Sequence, residues 1–181
     1  MYLDLRSKET YPDYLQRLDY WATVMLQNFG PVLDVLYQRL TRLLGKNVIF
    51  LRDAGASVSY PGFHIFPGDE TLSAFFGKRH KDLQWQQLTN LPDFPFKSEQ
   101  MKNHFSFTLP LKLPYLGGCL RAYKTPTDFD DIPYTERTLY VHSGQEEHAI
   151  APYHHPVLPF DWRITMQGHG FMVDDTIFIY W

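Results

Sequence analysis

Beyond Gly45 the chain stops repeating at helical intervals and breaks into short runs rich in Phe, Tyr, Val, Ile and Thr, each set between Pro, Gly or Asp clusters. The runs are 47–51 (NVIFL), 57–66 (SVSYPGFHIF), 105–113 (FSFTLPLKL), 119–123 (CLRAY), 138–142 (TLYVH), 148–151 (HAIA), 162–167 (WRITMQ) and 171–180 (FMVDDTIFIY). Aromatic and β-branched side chains fit a pleated, half-buried surface, and the flanking residues favour turns, so each run predicts a strand. Eight short strands with no long helix between them predict an antiparallel sandwich or barrel of jelly-roll type. The 14 Phe, 12 Tyr and 4 Trp supply large buried area for such a core or line a pocket in it. Two segments, 84–100 and 124–134, read as long loops, where substrate contacts or a lid are commonly carried.

Upstream, apolar residues recur at three- and four-residue steps: Leu15, Leu18, Trp21, Val24 and Met25, then Val32, Val35, Leu36, Leu40, Leu43 and Leu44. The spacing predicts two amphipathic helices over 11–45, divided at Gly30-Pro31 because proline lacks the N–H that an inner helical turn uses. With 181 residues, 44% of them apolar, one domain is expected. Residues 1–46 would form a helical buttress on a β core at 47–181.

Charge and cysteine content narrow the setting. The 17 Lys and Arg stand against 20 Asp and Glu, a formal charge of −3, so no general field draws the chain to phosphate backbones and nucleic acid is not an expected partner. The first ten residues are charged and lack the apolar centre of a secretion signal, and no run of about 18 apolar residues offers a membrane span. The single cysteine, Cys119, has no partner in the chain, which fits a reducing, cytoplasmic setting.

Neutral imidazole is the commonest metal ligand, and the chain has eight histidines. His80-Lys81-Asp82 is the one with a carboxylate two positions on. In extended backbone residues i and i+2 face the same way, so this imidazole and carboxylate can meet on one ion; by itself the pair reads equally as a solvated surface pair. His148 follows an acidic turn, 144–147, and opens a short strand; His142 is its rival as a second imidazole ligand. Two histidines and one aspartate on one side of a metal leave three positions open, which suits non-haem Fe(II). Arg163 and Thr165 share a strand face downstream, and a guanidinium beside a hydroxyl matches a carboxylate. Arg39-Leu40-Thr41 has the same spelling on a helix, where those side chains diverge and read as a solvated face. His64 reads as a core histidine or a group beside the metal.

In these residues the sequence resembles the 2-oxoglutarate- and Fe(II)-dependent dioxygenases: His80 and Asp82, then His148, then Arg163 and Thr165, follow that family's His-x-Asp, His, Arg-x-Thr order. The strand at 105–113 followed by Gly117-Gly118-Cys119-Leu120 is similar to the family's Gly-Gly-x-Leu hairpin. The resemblance implies a double-stranded β-helix, with His80, Asp82 and His148 holding Fe(II). It implies 2-oxoglutarate as cosubstrate, its far carboxylate on Arg163 assisted by Thr165, with Thr108 as a further partner from the facing strand. O2 is then the oxidant, succinate and CO2 are products, and an unactivated C–H of a small-molecule or peptidyl substrate is hydroxylated. Asp82 stands where related halogenases have a small residue, which implies hydroxylation or desaturation. Two rival readings stay open: a cupin-like metal enzyme that needs no keto acid, and a non-catalytic jelly-roll module that binds a small ligand.

Overall fold

In the computed structural model, which describes residues 10–67, 78–91, 94–153 and 161–181, one helix, α1 (Tyr11–Leu44), runs unbroken for 34 residues. Residues 1–9, and the adjacent histidines His154 and His155, lie outside the described residues. Thr10 caps α1: its hydroxyl accepts from the Asp13 amide, and the Asp13 carboxylate accepts from the Thr10 amide, so two orphan donors of the first turn are satisfied reciprocally. At the other end the Gly45 N–H donates to the Thr41 carbonyl at 3.0 Å.

The expected break at Gly30-Pro31 does not occur, and one helix replaces two. Leu18 and Leu36 are five helical turns apart and therefore share a face; both are buried, with Leu33 and Leu40 beside Leu36. Burial of that continuous stripe outweighs the one hydrogen bond that Pro31 removes. Gly30 helps locally, since the clash of a proline ring with the preceding residue is partly with a Cβ that glycine lacks.

By internal contacts the chain divides into two compact units: Met1–Gly62, Trp85–Asn103 and Gly168–Trp181 form one, and Phe63–Gln84 with His104–Gln167 form the other. In the first, β1 (Asn47–Phe50) lies parallel to β9 (Thr176–Tyr180), which pairs antiparallel with the end of β8 (Arg163–Val173). Val173 pairs with Thr176, so Asp174 and Asp175 alone make the hairpin turn, with Asp174 in the left-handed region at φ 53°. The sequence reading carried one strand through these aspartates. The turn is possible because Asp tolerates that backbone region better than most residues. The core of this unit is Leu51, Ala56, Val58, Leu88, Met101, Phe171, Phe178 and Tyr180, with Phe96 packed on Phe171 and Phe178. Residues 84–100, expected as loop, hold a short helix, α2 (Trp85–Leu88), and a 3₁₀ turn, Ser98–Met101.

The second unit contains most of β2 (Gly62–Phe66), then β3 (Phe105–Lys112), β4 (Leu120–Tyr123), β5 (Phe129–Ile132), β6 (Tyr140–Ser143), β7 (His148–Ile150) and the start of β8. There β8 adjoins both β2 and β3, and β3 pairs antiparallel with β6. A second sheet runs β5-β4-β7. Strand β5 falls inside the expected loop 124–134. Its sequence, FDDI, is poor in strand formers, and what holds it is a cross-strand pair: Arg121 grips Asp131 with two bonds of 2.7 and 2.8 Å and lies over the Phe129 ring. The protein is thus mostly β with one long N-terminal helix. Among the described residues no sheet closes into a barrel and no helix is long and apolar enough to cross a membrane.

Pro31 is exposed in mid-helix and serves no cap. Pro31→Ala is expected to restore one hydrogen bond and stabilise the protein by about 1–3 kcal/mol, read as a higher urea midpoint at unchanged slope.

Candidate metal centre

Backbone pairing builds the site within the second unit. His80 and His148 face each other across an antiparallel bridge and exchange both hydrogen bonds, His80 N–H to the His148 carbonyl at 3.0 Å and the reverse at 2.9 Å. Residues paired this way project to one side of the ladder, and the two rings lie 4.5 Å apart. Strand alternation brings Asp82 to the same side, while Lys81 and Leu83 point to solvent. The Asp82 amide is tied to the Gly144 carbonyl at 2.9 Å.

The ring orientations follow from their carbonyl partners. Nδ1 of His80 lies 2.6 Å from the Lys78 carbonyl, and Nδ1 of His148 lies 3.0 Å from that of Glu146. A carbonyl only accepts, so in each neutral ring Nδ1 holds the proton and Nε2 presents its lone pair. Those lone pairs converge on the carboxylate: His80 Nε2 is 3.4 Å from Asp82 Oδ1, and His148 Nε2 is 3.3 Å from Oδ2. One ligand atom from each of the three residues lies within 4.8 Å of the other two. Asp82 and His148 are buried, whereas the His80 side chain is 47% exposed. A protonated His80 Nε2 would donate to Asp82, which raises the His80 pKa; burial opposes the rise and the Lys78 carbonyl adds to it.

Arg163 is fully buried, and no carboxylate among the described residues pairs with it. Its Nε donates to the Gly118 carbonyl at 2.9 Å and one Nη to the Thr165 hydroxyl at 3.2 Å, so the strand-face pairing expected of Arg163 and Thr165 is present. The guanidinium lies 5.7 Å from the Tyr134 ring centre and 5.9 Å from that of Phe66. Burial pulls its pKa down, and the Tyr134 and Tyr153 phenols oppose the fall. Burial likewise pushes Tyr134 up and Tyr153 up to about 12. Gly118 permits this packing: its φ is +65°, and a Cβ there would sit 2.9 Å from both Pro114 and Tyr153 and 3.3 Å from Arg163.

The remaining sequence candidates divide. His142 packs edge-on against His148 at 4.7 Å but is not among the groups that converge on Asp82; burial and His148 lower its pKa. His64 lies on β2 facing the same way as Phe66, edge-on to it at 5.9 Å. Burial first, then Arg163, pushes its pKa down to about 4, with Asp82 acting in the opposite direction. His64 is therefore a neutral ring within the field of both the guanidinium and the carboxylate. His169 stacks on Trp181 in the other unit. Thr108 is buried on β3, opposite Tyr140.

Sequence reasoning passed over two residues. Ser106 donates to Asp82 Oδ2 at 2.5 Å; its only sequence signal is that it shares a β3 face with Thr108. Gly144 was read as part of an acidic turn, yet a Cβ there would come within 2.6 Å of the His104 ring and 3.3 Å of the Asp82 Cβ. Glycine lets the backbone that anchors Asp82 approach this closely.

No protein-family model matches the chain, and no curated protein does. Among solved structures it is similar to a prolyl-4-hydroxylase of Pseudomonas putida, 20% identical over 62% of this chain and 51% of that one, with a TM-score of 0.38. It is also similar to an N-substituted L-amino acid dioxygenase of Burkholderia ambifaria AMMD, 10% identical over 97% of this chain and 77% of that one, TM-score 0.43. The same enzyme in complex with alpha-KG matches at 12% identity over 96% and 77%, TM-score 0.40. The chain spans about half the length of the prolyl-4-hydroxylase.

Two outcomes follow from the geometry. Gly144→Ala is expected to cost about 1–3 kcal/mol in urea unfolding, because His104 or Asp82 must shift. The lowered His64 pKa means the unfolded chain binds a proton that the folded chain refuses. The stability it supports is complete above about pH 6.5 and is lost as pH falls toward 4, by up to about 3 kcal/mol. In metal-free protein, His64→Gln should flatten the pH dependence of the unfolding free energy across that window.

Proposed function

We propose that this chain is an Fe(II)- and 2-oxoglutarate-dependent dioxygenase that hydroxylates an unactivated C–H of a peptide, amino acid or natural-product intermediate. The observation that carries this reading is the presence, in one unit, of a converging His80, Asp82 and His148 and a buried Arg163 with no acidic partner among the described residues. The chain resembles the dioxygenase family in the order of these residues and in their meeting in space.

The donor set suits the group. Two neutral imidazoles and one carboxylate, all presented from one side, match a divalent first-row ion that keeps open positions. A buried guanidinium carries a desolvation cost of several kcal/mol, which an incoming anion offsets. A small diacid such as 2-oxoglutarate meets both requirements, one end toward the metal ligands and the other toward Arg163.

Iron and 2-oxoglutarate, when bound with O2, would supply the oxidation that turns a C–H into C–OH with release of succinate and CO2. The chain's own residues bind and orient. His80, Asp82 and His148 would hold the ion, and Arg163 would receive the far carboxylate through two parallel N–H bonds. Gly118 and Thr165 fix the plane of that guanidinium by occupying Nε and one Nη. Tyr134 and Phe66 cover it from water. His64, neutral at pH 7, places a ring beside the anion site without adding charge.

Purified protein mixed with Fe(II), 2-oxoglutarate and O2 should form succinate even without the primary substrate. Asp82→Ala and His148→Ala should fold normally yet bind no iron; full activity in either would refute the assignment. Arg163→Ala should raise the 2-oxoglutarate requirement on the order of 100-fold or more. Turnover independent of keto acid would favour a cupin-like enzyme, and a protein that takes up no iron at all would favour a non-catalytic module.

A further inference from the structure

The two oxygens of Asp82 are nearly equivalent toward the histidines, at 3.4 and 3.3 Å from their respective Nε2 atoms. A third group distinguishes them. The Ser106 hydroxyl donates to Oδ2 at 2.5 Å, and the Gln84 amide approaches Oδ1 at the longer distance of 3.3 Å. Ser106 is 4% exposed and sits opposite His142 in the β3–β6 ladder, so its position is fixed by backbone pairing rather than by its own side chain. An oxygen that accepts a hydrogen bond has one lone pair fewer to offer an ion than its neighbour, which tilts the carboxylate toward binding through the other oxygen.

We propose that Ser106 is a positioning residue for the metal centre: by holding Oδ2 it presents Oδ1 to the ion and keeps the Asp82 carboxylate from chelating through both oxygens. The inference rests on the metal-centre reading above and deepens it. Two imidazole nitrogens and one carboxylate oxygen leave three positions on a six-coordinate ion, the number that a chelating keto acid and one further ligand occupy. A second carboxylate oxygen on the ion would take one of them.

The test uses the full chain, freed of metal and titrated with Co(II) in the absence of keto acid, followed by calorimetry and by the visible absorption of the bound ion. Wild-type protein should bind one Co(II). Ser106→Ala removes a single oxygen and should weaken binding about 10- to 100-fold and shift the Co(II) bands, while the melting temperature of the metal-free protein stays put. Thr108→Val removes a hydroxyl from the same strand face at the same burial, one that bonds to Tyr134, and without keto acid should bind Co(II) within about twofold of wild type. Ser106→Thr keeps the hydroxyl and should retain the wild-type spectrum; it decides the matter if the alanine variant melts below the assay temperature.

A Ser106→Ala protein that binds Co(II) as wild type does, with unchanged bands, overturns the inference and leaves the metal centre standing. Equal losses in Ser106→Ala and Thr108→Val also overturn it, as the mark of a general structural role. Failure of wild-type protein to bind Co(II) overturns the metal centre and the inference together.

Discussion

A carboxylate withdrawn from water is the constraint around which the second unit is organised. Asp82 is 5% exposed, and an ionised group at such depth is costly unless every lone pair is engaged. The protein meets this with short-range donors, Ser106 on one oxygen and Gln84 on the other, while the Asp82 N–H donates to the Gly144 carbonyl and fixes the backbone behind. None of these three groups carries a formal charge. The His80–His148 bridge then aligns two lone pairs with it. The result is a polar cluster that favours a cation, arranged by main-chain pairing that any sequence could make, with specificity supplied by three side chains.

Arg163 inverts this logic. Arg163 is solvated by a carbonyl and a hydroxyl, again without a counter-charge among the described residues. His64 lies within reach of both halves, and its depressed pKa keeps it from adding a second positive charge next to the guanidinium. A buried acid and a buried base in one unit, each held by neutral dipoles, fit the proposed ligand, a small diacid that meets a metal at one end and Arg163 at the other. The ordering cost of those side chains is met during folding rather than on binding.

Much of the site was legible in the sequence because its geometry is local. His80 and Asp82 share a side by strand alternation, and so do Arg163 and Thr165; both follow from a spacing of two. Ser106 and Gly144 were not legible. A serine on a strand and a glycine in a turn carry no mark until the partner is placed beside them, and Gly144 is explained only by the nearness of His104 and Asp82. The fold divides the same way. The helical period over α1 was clear, but punctuation by Gly30-Pro31 was overridden by a buried stripe spanning it. Strand β5 was missed because its stability lies in Arg121 and Asp131, ten positions apart and joined only after the hairpin forms. The β8–β9 turn was missed because two aspartates, rather than a glycine, take the tight corner.

The unequal exposure of the three converging residues gives the centre a direction. Asp82 and His148 are walled in, while nearly half of the His80 side chain meets solvent. An ion held as proposed would meet solvent on the His80 side, because Asp82 and His148 are covered. His80 is then the one ligand of the three that water, protons and competing chelators would reach directly. Asp82 favours a proton on that ring, so protons would compete with such an ion for the same nitrogen.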